Sequence, residues 1–483
     1  MCYDLSMDEQ SQIRHDKLTA LQAAGQDPFS QTRFDKTHHS MQIVDGLDGV
    51  VAVAGRITQQ RVMGKASFCH ILDEFGKVQV YVAGEAVSNY DAFCDWDLGD
   101  IIGVRGSVFK TKTGEVSVRA SEVVLLAKSL SVPPDKHYGL KDAETRYRER
   151  HLDMIANPEV RDIFKTRSRV ISAIREFLDG RGFLEVETPV LQTLAGGAAA
   201  RPFKTHHNTF NMPMYLRIAV ELFHKRLLVG GFERIYEIGR CFRNEGVSHK
   251  HNPEFTMLEY YQTYADREIM VEVLRELIQH ATMRARGKLQ LEYQGKQLDL
   301  SGTWKRMTMI EAVRTTTGLD FDKLDEKSAL DAVKKLKLPL PRTISWGTLL
   351  YKVFEEMVEH TLIQPTIIIG YPVEVSPLVK KCAHDPRLAD MSELFINGWE
   401  MANTYTEIND PIDQRARFMA QVAEKAKGDD EAMPLDEEFL SALETGMPPT
   451  GGQGLGVDRL VILLTNTHSI RETLLFPTMK PRN

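Results

Sequence analysis

No run of about 18 consecutive apolar residues occurs in the chain, so a membrane-spanning helix is not expected. Cysteine is scarce and dispersed, at Cys2, Cys69, Cys94, Cys241 and Cys382, with no C-x-x-C pair and no secretory leader. That spacing argues against a zinc site or a disulfide framework and suits a reducing cytosol. Positive charge is not in excess either. A formal net charge of −7 excludes a uniformly basic nucleic-acid binder but leaves room for a local basic groove. Apolar residues at 42% and charged residues at 26% rule out a disorder-dominated chain. With 483 residues, two or more domains are expected.

The first 40 residues hold a charged, helix-prone segment, Met7 to Ala24, ending near Gly25. Its spacing at Ile13, Leu18 and Leu21 fits a solvated helix packed on a neighbouring domain, with an RNA-contacting helix as the alternative. Five short strand-like runs follow, at Val50 to Ile57, Ser67 to Asp73, Lys77 to Val82, Ile101 to Phe109 and Val116 to Leu126. Turns at Met63-Gly64, Phe75-Gly76 and Lys112-Thr113-Gly114 separate several of them, the pattern of an OB-fold barrel. Such barrels bind single strands on aromatic platforms with basic rims. Phe68 can stack a base, Arg61 and Lys65 can meet phosphates and Gln79 can read a base edge; Phe68 as plain barrel core is the competing reading. Ser131, Val132, Pro133, Pro134 and Asp135 then mark a linker.

Beyond the linker, Lys141 to Leu152 and Pro158 to Asp179 carry helical spacing, the second with Ile163, Val170, Ile174 and Phe177 on one face. Phe183 to Leu191 reads as a strand, and Ala195 to Ala200 as a small-residue loop able to move over a ligand or simply to connect. Tyr215 to Ala219 reads as a strand. Glu221 opens a helix whose dipole favours its charge, with Leu222, Leu227 and Leu228 as the apolar face.

The most chemically dense stretch runs from Phe232 to Tyr261. Arg234 to Phe242 and Pro253 to Tyr261 alternate as strands around a loop carrying Arg243, Asn244, Glu245, Gly246, His249, Lys250 and His251. That loop is too long for a tight hairpin and rich in phosphate-binding groups, which suits a ligand clamp; a solvated hairpin with scattered surface ion pairs is the competing reading. Residues 263–360 read as helical packing without assignable chemistry, and strand signal returns at Thr366 to Ile369. In Ser392 to Asp410, Glu393, Glu400 and Glu407 recur every seven residues, and Glu400, Asn403, Tyr405 and Glu407 mark a polar strand face. Carboxylates converging on one site repel unless a cation joins them, and Mg²⁺ suits hard oxygen ligands; an exposed acidic strand without metal is the alternative. Finally, Gly451, Gly452, Gly454 and Gly456 read as a glycine-rich loop that allows close backbone approach to a flat ligand, with a plain structural turn as the alternative, and Asp458-Arg459 lead an apolar helix, Leu460 to Leu464.

The wording of these segments resembles class II aminoacyl-tRNA synthetases of the lysyl branch. FRNEG followed by HNPEFT and Glu259 resembles motif 2, FLEVETPVL resembles motif 1, and G-L-G-V-D-R resembles motif 3. The resemblance implies an α+β protein, an OB-fold barrel joined to a catalytic domain built on an antiparallel sheet flanked by helices. The expected division is 1–48 as a helical extension, 49–130 as the barrel, 131–150 as linker and 151–483 as the catalytic domain, with a helical insertion around 266–360. It implies ligation of L-lysine to tRNA through an adenylate, with ATP and Mg²⁺, in a cytoplasmic homodimer. By position it assigns ATP contacts to Arg243, Glu245, His251, Phe255 and Arg459, the two arginines carrying the chemistry. Glu221, Glu259, Tyr261, Asn403, Tyr405 and Glu407 fall on the lysine pocket, Glu393 and Glu400 on the metal, and Arg61, Phe68 and Gln79 on the anticodon. The chain departs from the family pattern at Val220, often proline, and at Gln453, often apolar.

Overall fold

The computed structural model describes residues 8–134, 140–429 and 431–482. Met7 and Asp135, at the edges of the expected first helix and linker, lie outside the described residues. Two compact units are present. One runs to Asp142 and includes His151–Asn157; the other comprises Ala143–Arg150 and everything from Pro158 onward.

In the first unit, strands Val50–Met63, Ala66–Leu72, Lys77–Ala83, Ile101–Lys110 and Val116–Ala127 close into a barrel. The first strand is long enough to pair with both Ala66–Leu72 and Ile101–Lys110, and a bulge between Ile57 and Gln59 turns it from one to the other. Alternation does the rest: Val53, Cys69, Ile71, Val80, Val104 and Val118 point inward and are buried. Helix Glu9–Ala23 has little apolar stripe, and Ile13 is half exposed. Polar anchors attach it instead. Arg14 is buried and donates to the carbonyls of Leu98 and Ser129, and Lys17 pairs with Asp97.

The second unit is built on an eight-stranded sheet in the order Lys305–Thr308, Thr366–Pro372, Leu388–Ile396, Trp399–Thr406, Thr450–Gly456, Glu254–Thr263, Arg234–Phe242, Leu184–Glu185. Neighbours are antiparallel except at the two edges, where Lys305–Thr308 and Leu184–Glu185 pair in parallel. Helices Val160–Asp179, Arg267–Arg286 and Val457–Thr465 share a core with Leu258, Tyr260, Ala402 and Leu455 on one face of this sheet. Because side chains alternate, Met257, Glu259, Tyr261, Asn403 and Tyr405 project from the other face.

Three local expectations give way to something different. Phe183 to Leu191 is not one strand: Leu184–Glu185 joins the large sheet, the chain leaves it before Pro189, which has no N–H to donate, and Leu191 begins a short strand, Leu191–Gln192, of a separate three-stranded sheet. The glycines from 451 to 456 lie in a central strand, Thr450–Gly456, rather than in a loop. Residues 263–360 hold helices Met309–Thr317, Glu326–Lys335 and Trp346–Met357, but also a hairpin, Gln290–Tyr293 with Lys296–Asp299, and the edge strand Lys305–Thr308. Four-residue strands carry too little alternation to be read from sequence. Among the described residues no helix is long and apolar enough to cross a membrane.

Candidate functional site

The sheet register assembles the site. Gly454 pairs with Glu259 on one side and Asn403 on the other, while Glu393 is opposite Asn403 and Glu237 opposite Glu259. One step along, Gly452 lies between Tyr261 and Tyr405. Glycine is required here for room. A Cβ on Gly452 would sit 1.8 Å from Glu407 Oε1, and one on Gly454 would sit 2.5 Å from Asn403 Oδ1. The glycine strand is thus the floor into which polar side chains of both neighbouring strands lean.

Two adjoining cavities open over this floor. The first, about 260 Å³, is lined by Arg243, Glu245, His251, Phe255 and Arg459 together with Glu400 and Asn403. The Arg243 guanidinium lies 5.2 Å from the Phe255 ring centroid, and its buried Nε has no hydrogen-bond partner among the described residues. Arg459, in the first turn of helix Val457–Thr465, donates to His251 Nε2 at 3.3 Å and faces the Glu400 carboxylate at 3.5 Å. Its neighbour Asp458 is buried and locks the helix start to the sheet, accepting from the Thr256 amide at 2.6 Å and from Arg167 at 2.5 Å. A flat aromatic face, two guanidiniums and an exposed Glu245 form a chamber shaped for a nucleotide polyphosphate.

The second cavity, about 310 Å³, shares Arg243, Met257, Glu400, Asn403 and Gly454 with the first and continues to Glu221, Glu259, Tyr261, Tyr405 and Glu393. Tyr261 donates to Glu259 Oε2 at 2.9 Å. Burial, then the charge of Glu221, pushes the Glu259 carboxyl up to about 7. Glu407 is fully buried and stands one residue deeper than the wall, against Gly452. Sequence reasoning missed its partner: Lys225 Nζ is 2.6 Å from Glu407 Oε2 and 2.6 Å from Glu221 Oε1. The signal was present, since Lys225 stands three residues from both Leu222 and Leu228, on the helix face that packs inward. Also missed was a buried network in which Glu237 accepts from Thr188 and pairs with Arg217 and His224 beneath the same strands. Gln453, buried, satisfies its amide through Thr404 and the Asn403 carbonyl.

Glu400 lines both cavities and Glu393 lines the second. Tyr371 donates to Glu393 Oε2 at 2.7 Å. Burial, then the like charge of Glu400, holds the Glu393 carboxyl well above its usual range. Such a pair of hard oxygen donors fits a divalent cation. Among the described residues no group of three or more His, Cys, Asp or Glu side chains is placed to hold one, so phosphate and water oxygens would complete the shell.

On the barrel, Arg61, Phe68 and Gln79 line one groove of about 970 Å³. Phe68 is half-buried on this outer face and not in the core, its ring 5.0 Å from that of Tyr81, which in turn is 5.8 Å from Phe109. Arg119 stacks over Phe109 at 4.7 Å. Tyr81, Phe109 and Arg119 extend the platform beyond what the sequence suggested. Gln79 donates to Glu115 and accepts from Ser117, which holds its amide in one orientation.

With this geometry in place, comparison with known proteins is decisive. A family model described as tRNA synthetases class II (D, K and N) matches residues 142–480. The chain belongs to the class II tRNA synthetases. A second model, the OB-fold nucleic acid binding domain, matches residues 51–126. Relatives of this class II synthetase include a lysine–tRNA ligase of Pelotomaculum thermopropionicum, 52% identical over 99% of this chain and 96% of the relative. Lysine–tRNA ligases of Carboxydothermus hydrogenoformans and Bacillus subtilis are 51% and 48% identical, each over 99% of this chain, covering 99% and 98% of their own lengths.

Proposed function

We propose that the protein is a lysine–tRNA ligase. The observation that carries this reading is the amino-acid cavity: Glu221, Glu259 and, behind them, Glu407 converge beside Tyr261 and Tyr405, next to a chamber bearing two arginines. A long apolar stem ending in an ammonium matches tyrosine walls and a desolvated carboxylate. An acidic side chain would need a free cation at the inner end of that cavity, away from Arg243, which meets the α-carboxylate at the junction with the first. Lys225 does not supply one, because its ammonium is already held by two glutamates.

In the first step the lysine carboxylate attacks the ATP α-phosphorus, forming lysyl-adenylate as the bond to pyrophosphate breaks. In the second the terminal ribose of tRNA takes the lysyl group and AMP leaves. No side chain needs to act as nucleophile. Arg243 holds the α-phosphate and substrate carboxylate, Phe255 stacks the adenine, Arg459 with His251 orients the remaining phosphates, and Glu245 accepts from N–H or O–H donors of the nucleoside. Glu393 and Glu400 would hold Mg²⁺, which supplies charge neutralisation at the phosphates when bound. Asn403, Tyr405 and Tyr261 shape the amino-acid site, and Arg61, Phe68 and Gln79 contact the anticodon. The working form is a cytoplasmic homodimer.

The test is ATP–pyrophosphate exchange with each of the twenty amino acids. Exchange dependent on lysine alone is expected; exchange with aspartate or asparagine in its place would overturn the assignment.

A further inference from the structure

We propose that Lys225 is a specificity-determining positioning residue, an internal counter-ion that fixes Glu221 and Glu407 and sets the charge of the amino-acid cavity to complement a substrate carrying two ammonium groups. The proposal rests on the lysine reading above and extends it to a residue outside the cavity wall.

Lys225 belongs to helix Glu221–Val229 and is wholly buried. Its Nζ lies 2.6 Å from Glu221 Oε1, one turn back on the same helix, and 2.6 Å from Glu407 Oε2, just past strand Trp399–Thr406. One ammonium therefore ties the helix to the sheet through two carboxylates. The Leu378 carbonyl, at 3.4 Å, is its third neighbour. Lys225 and Glu407 are fully buried, so their charges are shielded from solvent and salt, while Glu221 reaches the cavity wall. Burying an ammonium is costly, and it persists where carboxylates surround it. Here burial opposes the charge of Lys225, while Glu221 and Glu407 raise its pKa above the ordinary value.

The charge count follows from the same neighbours. The ionisable groups that face this spot are Glu221, Glu259, Glu407, His224, Tyr261 and Tyr405, with Glu393, Glu400 and Arg243 on the wall of the same cavity. Both tyrosines are held neutral, burial and the nearby carboxylates raising them well above their usual range. At the inner end three carboxyl groups face one ammonium; burial and mutual repulsion push Glu259 up to about 7 and Glu407 up to about 8, so they carry their full charge at neutral pH only when a further cation joins Lys225 there. Lysine brings an ammonium at each end, and its carboxylate is met separately by Arg243 at the junction of the cavities. With Lys225 in place, the two ammoniums of a bound lysine would draw the remaining protons off these carboxyls and balance the site. Without it, the three carboxyls would hold their protons still more tightly at neutral pH and attract a cation less.

Lys225→Met in the full chain tests this, with lysine-dependent ATP–pyrophosphate exchange as the assay. At pH 7 the lysine KM is expected to rise about tenfold or more, the loss of one charge-assisted contact, while the ATP KM and kcat stay within about threefold. Between pH 7 and 8.5 the variant's lysine KM should fall back toward wild type, because the carboxyls lose their protons as pH rises. A merely structural lysine would move the ATP KM, kcat and melting temperature together, without recovery at high pH. Should Lys225→Met fail to fold, Lys225→Gln, which keeps a donor but not the charge, is judged by the same criteria. A lysine KM within threefold of wild type, or an equal loss for ATP, overturns the proposal. Absence of lysine-dependent exchange in the wild type would instead sink the lysine reading itself.

Discussion

Replacing Gly452 by alanine probes the floor of the site with a single methyl group. Its backbone φ is ordinary, so the effect must come from space. The new Cβ would lie 1.8 Å from Glu407 Oε1, 2.7 Å from Tyr261 Cε1 and 2.9 Å from Glu407 Cδ. Relief requires the carboxylate to retreat by roughly 1.5 Å to an ordinary van der Waals separation. A surface glutamate would swing away at little cost, but Glu407 is fully buried and held by Lys225 at 2.6 Å. Overpacking of this kind costs about 1–3 kcal/mol of stability. Displacing Glu407 disturbs its charge-assisted contact with Lys225, worth about 1.5–3 kcal/mol, and through the altered charge of the cavity should lower kcat/KM for lysine by about 10-fold or more. Gly456→Ala is the internal control, because its nearest neighbour is Arg459 Cδ at 3.5 Å, an ordinary contact. Gly454→Ala, meeting only Asn403 Oδ1 at 2.5 Å, should fall between the two. Urea unfolding and lysine-dependent exchange would be measured for all three. If alanine at 452 and at 456 behave alike, the account of the glycine strand is wrong.

Arg459→Ala should cost about 10²- to 10³-fold in exchange, with the unfolding midpoint little changed, since its partners His251 and Glu400 are solvent-facing; full activity would remove it from the phosphate site. The Glu259 carboxyl is pushed up to about 7, so it is largely neutral below that pH and kcat/KM for lysine should rise as pH passes through about 7. Glu259→Gln should abolish that limb of the profile. Because the folded state binds this proton more tightly than the unfolded chain, the same group lowers stability as pH rises from the ordinary carboxylate range to about 7, and the Gln variant should show a flatter dependence. Phe68→Ala should weaken tRNA binding by about 1–3 kcal/mol, measured by filter retention, and leave lysine activation unchanged; an effect on activation would refute a role confined to the barrel.

Composition, the five barrel runs, the polar loop after Phe242 and the acidic strand near Glu400 were all legible, because period-two alternation and turn residues act locally. The same alternation placed Glu259, Tyr261, Asn403 and Tyr405 on one polar face each, and the motif wording tied those faces to one family. Phe68 could not be resolved between core and surface from its own segment. Its rank as a platform depends on Tyr81, Phe109 and Arg119 from three strand runs. The short edge strands went unseen for a different reason: four residues hold too little pattern.

What the order of residues determined by itself was local: which segments alternate, where glycine and proline interrupt them, and which polar side chains share a strand face. Only the tertiary structure decided that Gly452 and Gly454 are floor space for the glutamates and asparagine beside them, and that Lys225 meets Glu407 across 182 positions of chain. Those outcomes depend on cross-strand register and on helix-to-sheet packing, which are set by the shared core and not by any one segment.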